Sequence, residues 1–87
     1  MHVYVVTSNY NNVSSSTVFS RKKKAENYYN ELIQSRVDFN EKLGNKIYLH
    51  KTELANGCIK HCFIYRENIN GTSKLMTTIQ LQKEPVF

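Results

Sequence analysis

Residues 20–33, Ser20-Arg21-Lys22-Lys23-Lys24-Ala25-Glu26-Asn27-Tyr28-Tyr29-Asn30-Glu31-Leu32-Ile33, decide the fold. Ala25, Tyr28, Tyr29, Leu32 and Ile33 recur at the three-and-four spacing of a one-sided helix, leaving Lys23, Lys24, Asn27, Asn30, Glu31 and Gln34 to face outward. Ser20 reads as the N-cap, its hydroxyl placed to accept a bond from a free N–H of the first turn. The stripe continues through Arg36, Phe39 and Leu43 to Gly44-Asn45, a helix stop. Val37 and Asp38 lie off it, which marks residue 36 as the place for a break.

On both sides of this helix the pattern changes to period two. His2 to Ser8 is dense in β-branched and aromatic residues and reads as a central strand. Asn9-Tyr10-Asn11-Asn12 is a cluster of turn formers, so Val13 to Phe19 should return antiparallel, with enough serine to suit a sheet edge. After the helix, Lys46 to Leu54 alternates Ile47 and Leu49 against Tyr48 and His50, and Asn56-Gly57 suits a two-residue hairpin. Cys58 to Arg66 then places Ile59, His61, Phe63 and Tyr65 on one face and Cys58, Lys60, Cys62 and Ile64 on the other. Asn70-Gly71 reverses the chain again. A last strand sets Leu75, Thr77, Ile79 and Leu81 against Met76, Thr78, Gln80 and Gln82 and ends at Pro85. The order ββαβββ predicts an α+β fold, one antiparallel sheet with one long helix on one face, in a single domain over residues 1–87.

Composition narrows the function classes. Twelve Lys and Arg against seven Asp and Glu give a net charge of +5, which favours encounter with acidic protein faces, nucleic acid or anionic membranes. No apolar run approaches the roughly 20 residues of a membrane span, and the start of the chain lacks signal-peptide character, so a cytoplasmic protein is expected. Cys58 and Cys62, four residues apart on a strand, would stand roughly 13 Å apart. That is too far for a disulfide, which predicts two thiols.

Chemistry-bearing groupings are sparse. Cys58, His61, Cys62 and His50 are zinc-ligand types, but a regular strand turns His61 away from both cysteines. Neither cysteine lies near a helix start that would activate it as a nucleophile, and the seven carboxylates are scattered. Gly44, Gly57 and Gly71 each stand alone at a turn, so there is no phosphate-binding glycine loop. The expectation is a non-enzymatic protein with no cofactor and no metal. What stands out is the cation run. Arg21, Lys22, Lys23 and Lys24 crowd the helix end that already carries about half a positive charge, at a cost of roughly 0.3–1 kcal/mol per charge unless an anion offsets it. They are the candidate partner-binding residues, Lys22 and Lys23 foremost.

Val3-Tyr4-Val5-Val6-Thr7-Ser8, then Val18-Phe19-Ser20 and Lys23-Lys24-Ala25-Glu26-Asn27-Tyr28, resembles a pattern recurrent in small proteins of bacteriophages and Gram-positive mobile elements. The resemblance covers roughly residues 2–33 and rests on a strand pair leading into a capped helix. It implies an accessory protein that acts by binding, a class that includes anti-CRISPR and other counter-defence inhibitors. Many of those are acidic mimics of DNA, whereas this chain is basic. The expected function is therefore phage-encoded inhibition of a host defence or nucleic-acid-processing protein through an acidic surface on that partner. The alternative is a basic nucleic-acid- or nucleotide-binding module. In either case no membrane is involved, and the chain is a monomer or small homo-oligomer.

Overall fold

Among the described residues five strands and one α-helix follow one another as β1 (His2–Tyr10), β2 (Val13–Phe19), α1 (Lys22–Lys42), β3 (Ile47–Leu54), β4 (Ile59–Glu67) and β5 (Ser73–Pro85). The structure, a computed structural model, describes residues 1–86. All neighbouring strands run antiparallel in the order β2-β1-β5-β4-β3, so β1 is interior and β2 and β3 are the two edges. This is the predicted α+β architecture, with the helix laid on one face of a single sheet.

The helix decides which face is inside. Ala25, Tyr29 and Ile33 bury against Val6, Cys62, Ile64, Ile79 and Leu81, with Tyr4, Phe19, Tyr28, Leu32, Val37 and Ile47 around them. Fully burying a side chain of this kind contributes about 1.5–3 kcal/mol, which is what holds an otherwise polar helix in place. The second half of the stripe departs from the expected one. Phe39 and Leu43 are 50% and 62% exposed, and Val37 and the buried Asn40 face inward instead. Continuing by four from Ala25, Tyr29 and Ile33 reaches Val37, so the helix runs through residue 36 without a break. Asn40 meets its polar needs by donating to the Arg36 carbonyl (2.8 Å) and accepting from the Asn45 amide (3.2 Å).

Both helix ends are informative. At the C-terminus, Gly44 adopts a φ of +78°, and the Gly44 and Asn45 N–H groups donate to the Glu41 and Asn40 carbonyls, satisfying the helix's last acceptors. At the N-terminus the cap position is Arg21, in extended conformation and with no side-chain cap bond, rather than Ser20. The helix begins one residue later than the hydroxyl would need, and its first turn holds no acid.

Two connections and one strand pairing differ from expectation. Strand β1 continues to Tyr10, and the reversal is the pair Asn11-Asn12, with φ of +49° and +64°, the two left-handed residues that a twisted two-residue hairpin requires. Between β3 and β4 the loop takes four residues, because Ala55, Asn56 and Gly57 are all left-handed and Leu54 pairs with Ile59. In β5 the pairing with β4 skips Met76, so Ile64 faces Thr77 while Tyr65 faces Leu75. That bulge moves Leu75 off the core side of Thr77, Ile79 and Leu81 and onto the opposite face.

Candidate binding surface: the uncovered face of the sheet

Period-two alternation sends one side of every strand away from the helix, and the helix is the only second layer among the described residues. The face left bare carries Ile59, His61, Phe63 and Tyr65 from β4, Tyr48, His50, Thr52 and Leu54 from β3, Leu75, Thr78, Gln80 and Gln82 from β5 and Val3 and Val5 from β1. Its β3–β4 half is aromatic: the Phe63 ring lies 6.1 Å from that of His50 and 5.7 Å from that of His61, both tilted, while the central strand β5 sets Thr78, Gln80 and Gln82 beside them. Rings at these spacings gain about 0.5–1.5 kcal/mol per pair beyond simple burial.

Charge is sorted between the two faces. Lys51, Lys60, Arg66, Lys74 and Lys83 all pair with residues of the helix-covered face, as with Lys60 opposite Leu81 and Lys83 opposite Tyr4. No Lys or Arg within the described strands falls on the bare face. Charges there sit at its rim: Glu84, and the pair Lys46 and Glu67, whose Nζ and carboxylate are 3.6 Å apart. Glu67, and then Tyr48 with its ring 6.0 Å away, hold the Lys46 ammonium above its ordinary pKa.

The cation run lies on the other side of the sheet, at the start of α1. Lys22 is engaged internally: its ammonium is 3.8 Å from a Glu26 carboxylate oxygen and donates to the Asn56 carbonyl at 3.4 Å. Lys60 reaches the same Glu26 oxygen at 3.9 Å, so Glu26 ties the helix start to β4 while Lys22 ties it to the loop before β4. Arg21, Lys23 and Lys24 are exposed, and among the described residues no carboxylate lies within 4 Å of them. Only Lys22, of the four candidate residues, is thereby tied to the fold.

Thiols and imidazoles are separated. Cys62 is fully buried under the helix, and burial pushes its thiol above the ordinary 9.0, with Lys51 pulling the other way. His61 stands on the bare face beside it in sequence, and Cys58 lies in the loop before β4. Among the described residues no three His, Cys, Asp or Glu side chains converge as metal ligands would. Beside Cys62, burial first, and then Cys62 and Glu53, push the Tyr29 hydroxyl far above its ordinary value.

Comparison with protein-family profiles, characterised proteins and solved structures returns no match to this chain. No helix is long and apolar enough to cross a membrane among the described residues. The bare face itself is a surface that sequence reading passed over. The alternation of Ile59, His61, Phe63 and Tyr65 was visible, but not that the helix would cover the Cys62 and Ile64 side.

Proposed function

We propose that this chain is a non-catalytic binding protein that blocks a partner protein by docking the bare face of its sheet against it. One observation carries the reading: the strands place the aromatic cluster of Tyr48, His50, His61, Phe63 and Tyr65 on that face, beside uncharged Thr and Gln side chains of β5, and every one of their Lys and Arg residues on the other. Cores of protein interfaces are depleted in charge and rich in aromatic side chains, whereas surfaces that hold single-stranded nucleic acid interleave rings with cations along the backbone track. The resemblance of residues 2–33 to small phage and mobile-element proteins supports a host defence or nucleic-acid-processing protein as that partner, met in the host cytoplasm and inhibited by occupancy. Affinity capture from lysates of Gram-positive hosts tests it, using wild type beside a Phe63→Glu variant. Capture of one protein by wild type and its loss in Phe63→Glu is the expected result; equal capture by both overturns the reading.

A second reading rests on the exposed Arg21, Lys23 and Lys24, which together present positive charge with no carboxylate in reach among the described residues. These residues suit an acidic protein surface or nucleic acid, on the side of the sheet opposite the aromatic face. Filter binding of duplex DNA across a salt series decides the nucleic-acid form. Phosphate contact predicts a log-log slope of about −0.9 per neutralised phosphate, and no binding at low salt removes it.

A further inference from the structure

Strand β3 is an edge that nothing covers among the described residues. All of its eight residues except Ile47 are exposed, including Leu49 at 43% and Leu54 at 62%, and it contains no proline and no bulge. Its free backbone groups can be assigned. The Glu67 N–H donates to the Lys46 carbonyl at 2.9 Å, and the β3–β4 register keeps one sum throughout, so even-numbered residues of β3 bond to β4. The odd-numbered residues Leu49, Lys51 and Glu53 therefore point their N–H and C=O groups outward, a row that can template another strand.

We propose that this edge pairs with the same edge of a second copy, antiparallel, about a two-fold axis at Thr52, making one ten-stranded sheet. Antiparallel partners share a face, so a two-fold pairing keeps both helices on one side and must match odd residues with odd ones. Lys51 and Glu53 are two apart and on the same face. Centring on Thr52 sets Lys51 opposite Glu53 of the second copy twice over, and His50 opposite Leu54 on the bare face. Shifting the axis to Lys51 brings like charges together, and shifting it to His50 sets Leu49 against Lys51 and Ile47 against Glu53. A lysine on an edge ordinarily discourages pairing. Here the carboxylate two residues on turns it into a register key. The other edge lacks this device, since β2 carries no charge and its Ser14, Ser15 and Ser16 hydroxyls bond inward to Asn9, Ser8 and Thr7 of β1. The inference is independent of what the bare face binds.

Light scattering after size exclusion, over a dilution series of the full chain, tests it. Lys51→Glu should weaken the dimer about tenfold by facing two carboxylates across each pair, and Lys51→Glu with Glu53→Lys should restore it. A wild type monomeric at every concentration overturns the proposal, as does a dimer indifferent to Lys51→Glu or unrestored by the double exchange. Amide exchange on wild type gives an independent reading: Lys51 and Glu53 should gain protection as concentration rises, and concentration-independent exchange there contradicts the pairing.

Discussion

Phe63 and Ile64 are neighbours on β4 that should answer oppositely to truncation. Ile64 is fully buried beneath α1 with Cys62, Ile79 and Leu81 in the same core. Replacing a buried Ile with Ala costs about 2–5 kcal/mol, from lost transfer energy and the cavity left behind. At roughly 0.05–0.15 kcal/mol per residue, a chain of this length has about 4–13 kcal/mol in total. Ile64→Ala thus removes a large fraction of the stability, and Ile64→Val, at about 0.5–1.5 kcal/mol, is the measurable version. A small domain loses about 4–8 °C of Tm per kcal/mol, so Ile64→Val should melt about 2–12 °C lower. Phe63→Ala removes ring contacts with His50 and His61 but opens no cavity, because among the described residues no second layer covers its face. Its cost should be below that of Ile64→Ala, since only the area and aromatic contributions are lost and no cavity cost is added. Thermal and denaturant unfolding of the three variants followed by circular dichroism decide the matter. If Phe63→Ala proves as damaging as Ile64→Ala, the Phe63 face is packed rather than bare and the reasoning fails.

Lys23→Glu and Lys24→Glu replace unfavourable with favourable charge in a first turn that has no acid, so each should raise Tm by a few degrees at low salt, an effect lost at high salt; a fall in Tm would mean that the lysines have partners. Gly57→Ala should cost about 1 kcal/mol or more in chemical denaturation, because a side chain at a φ of +86° is strained, while the Glu53 carboxylate oxygen 2.9 Å from the added Cβ can swing aside. Alkali should weaken the fold. Cys62 and Tyr29 hold their protons more tightly folded than unfolded, so stability is level below the ordinary values of 9.0 and 10.0 and falls as pH rises past each. Stability unchanged between pH 8 and pH 11 contradicts this burial account of the two groups.

Much of the architecture was legible because hydrophobic spacing and sheet layering are local properties. The switch from period two to period 3.6 at Ser20, and back after Gly44, sets the order of elements, and one helix on an antiparallel sheet leaves few arrangements. What escaped was long-range or subtle in geometry. Leu75 alternates cleanly with Thr77 in sequence, yet the skip at Met76 moves it to the other face, and no local signal marks a bulge with neither Gly nor Pro. Ser20 looked like a cap by residue type, but Phe19 must reach the core beside Tyr28, ring centroids 5.3 Å apart, and the helix opens two residues after Ser20. Of the candidate site, the cation run was conspicuous. Glu26 is four residues on from Lys22, but that Lys22 would also be taken up by the Asn56 carbonyl depended on a loop 34 residues downstream in the chain. The bare face was implicit in the alternation of β4 and needed only the side on which the helix lies.

The central claim is that the bare face, and not the helix start, meets the partner. Competitive capture from a host lysate by wild type, Phe63→Glu and the Lys23→Glu/Lys24→Glu pair, each first shown to be folded, tests it most directly. The account predicts that one partner is held by wild type and the lysine variant and lost by Phe63→Glu. Retention by Phe63→Glu with loss in the lysine variant would contradict it and move the binding surface to the start of α1.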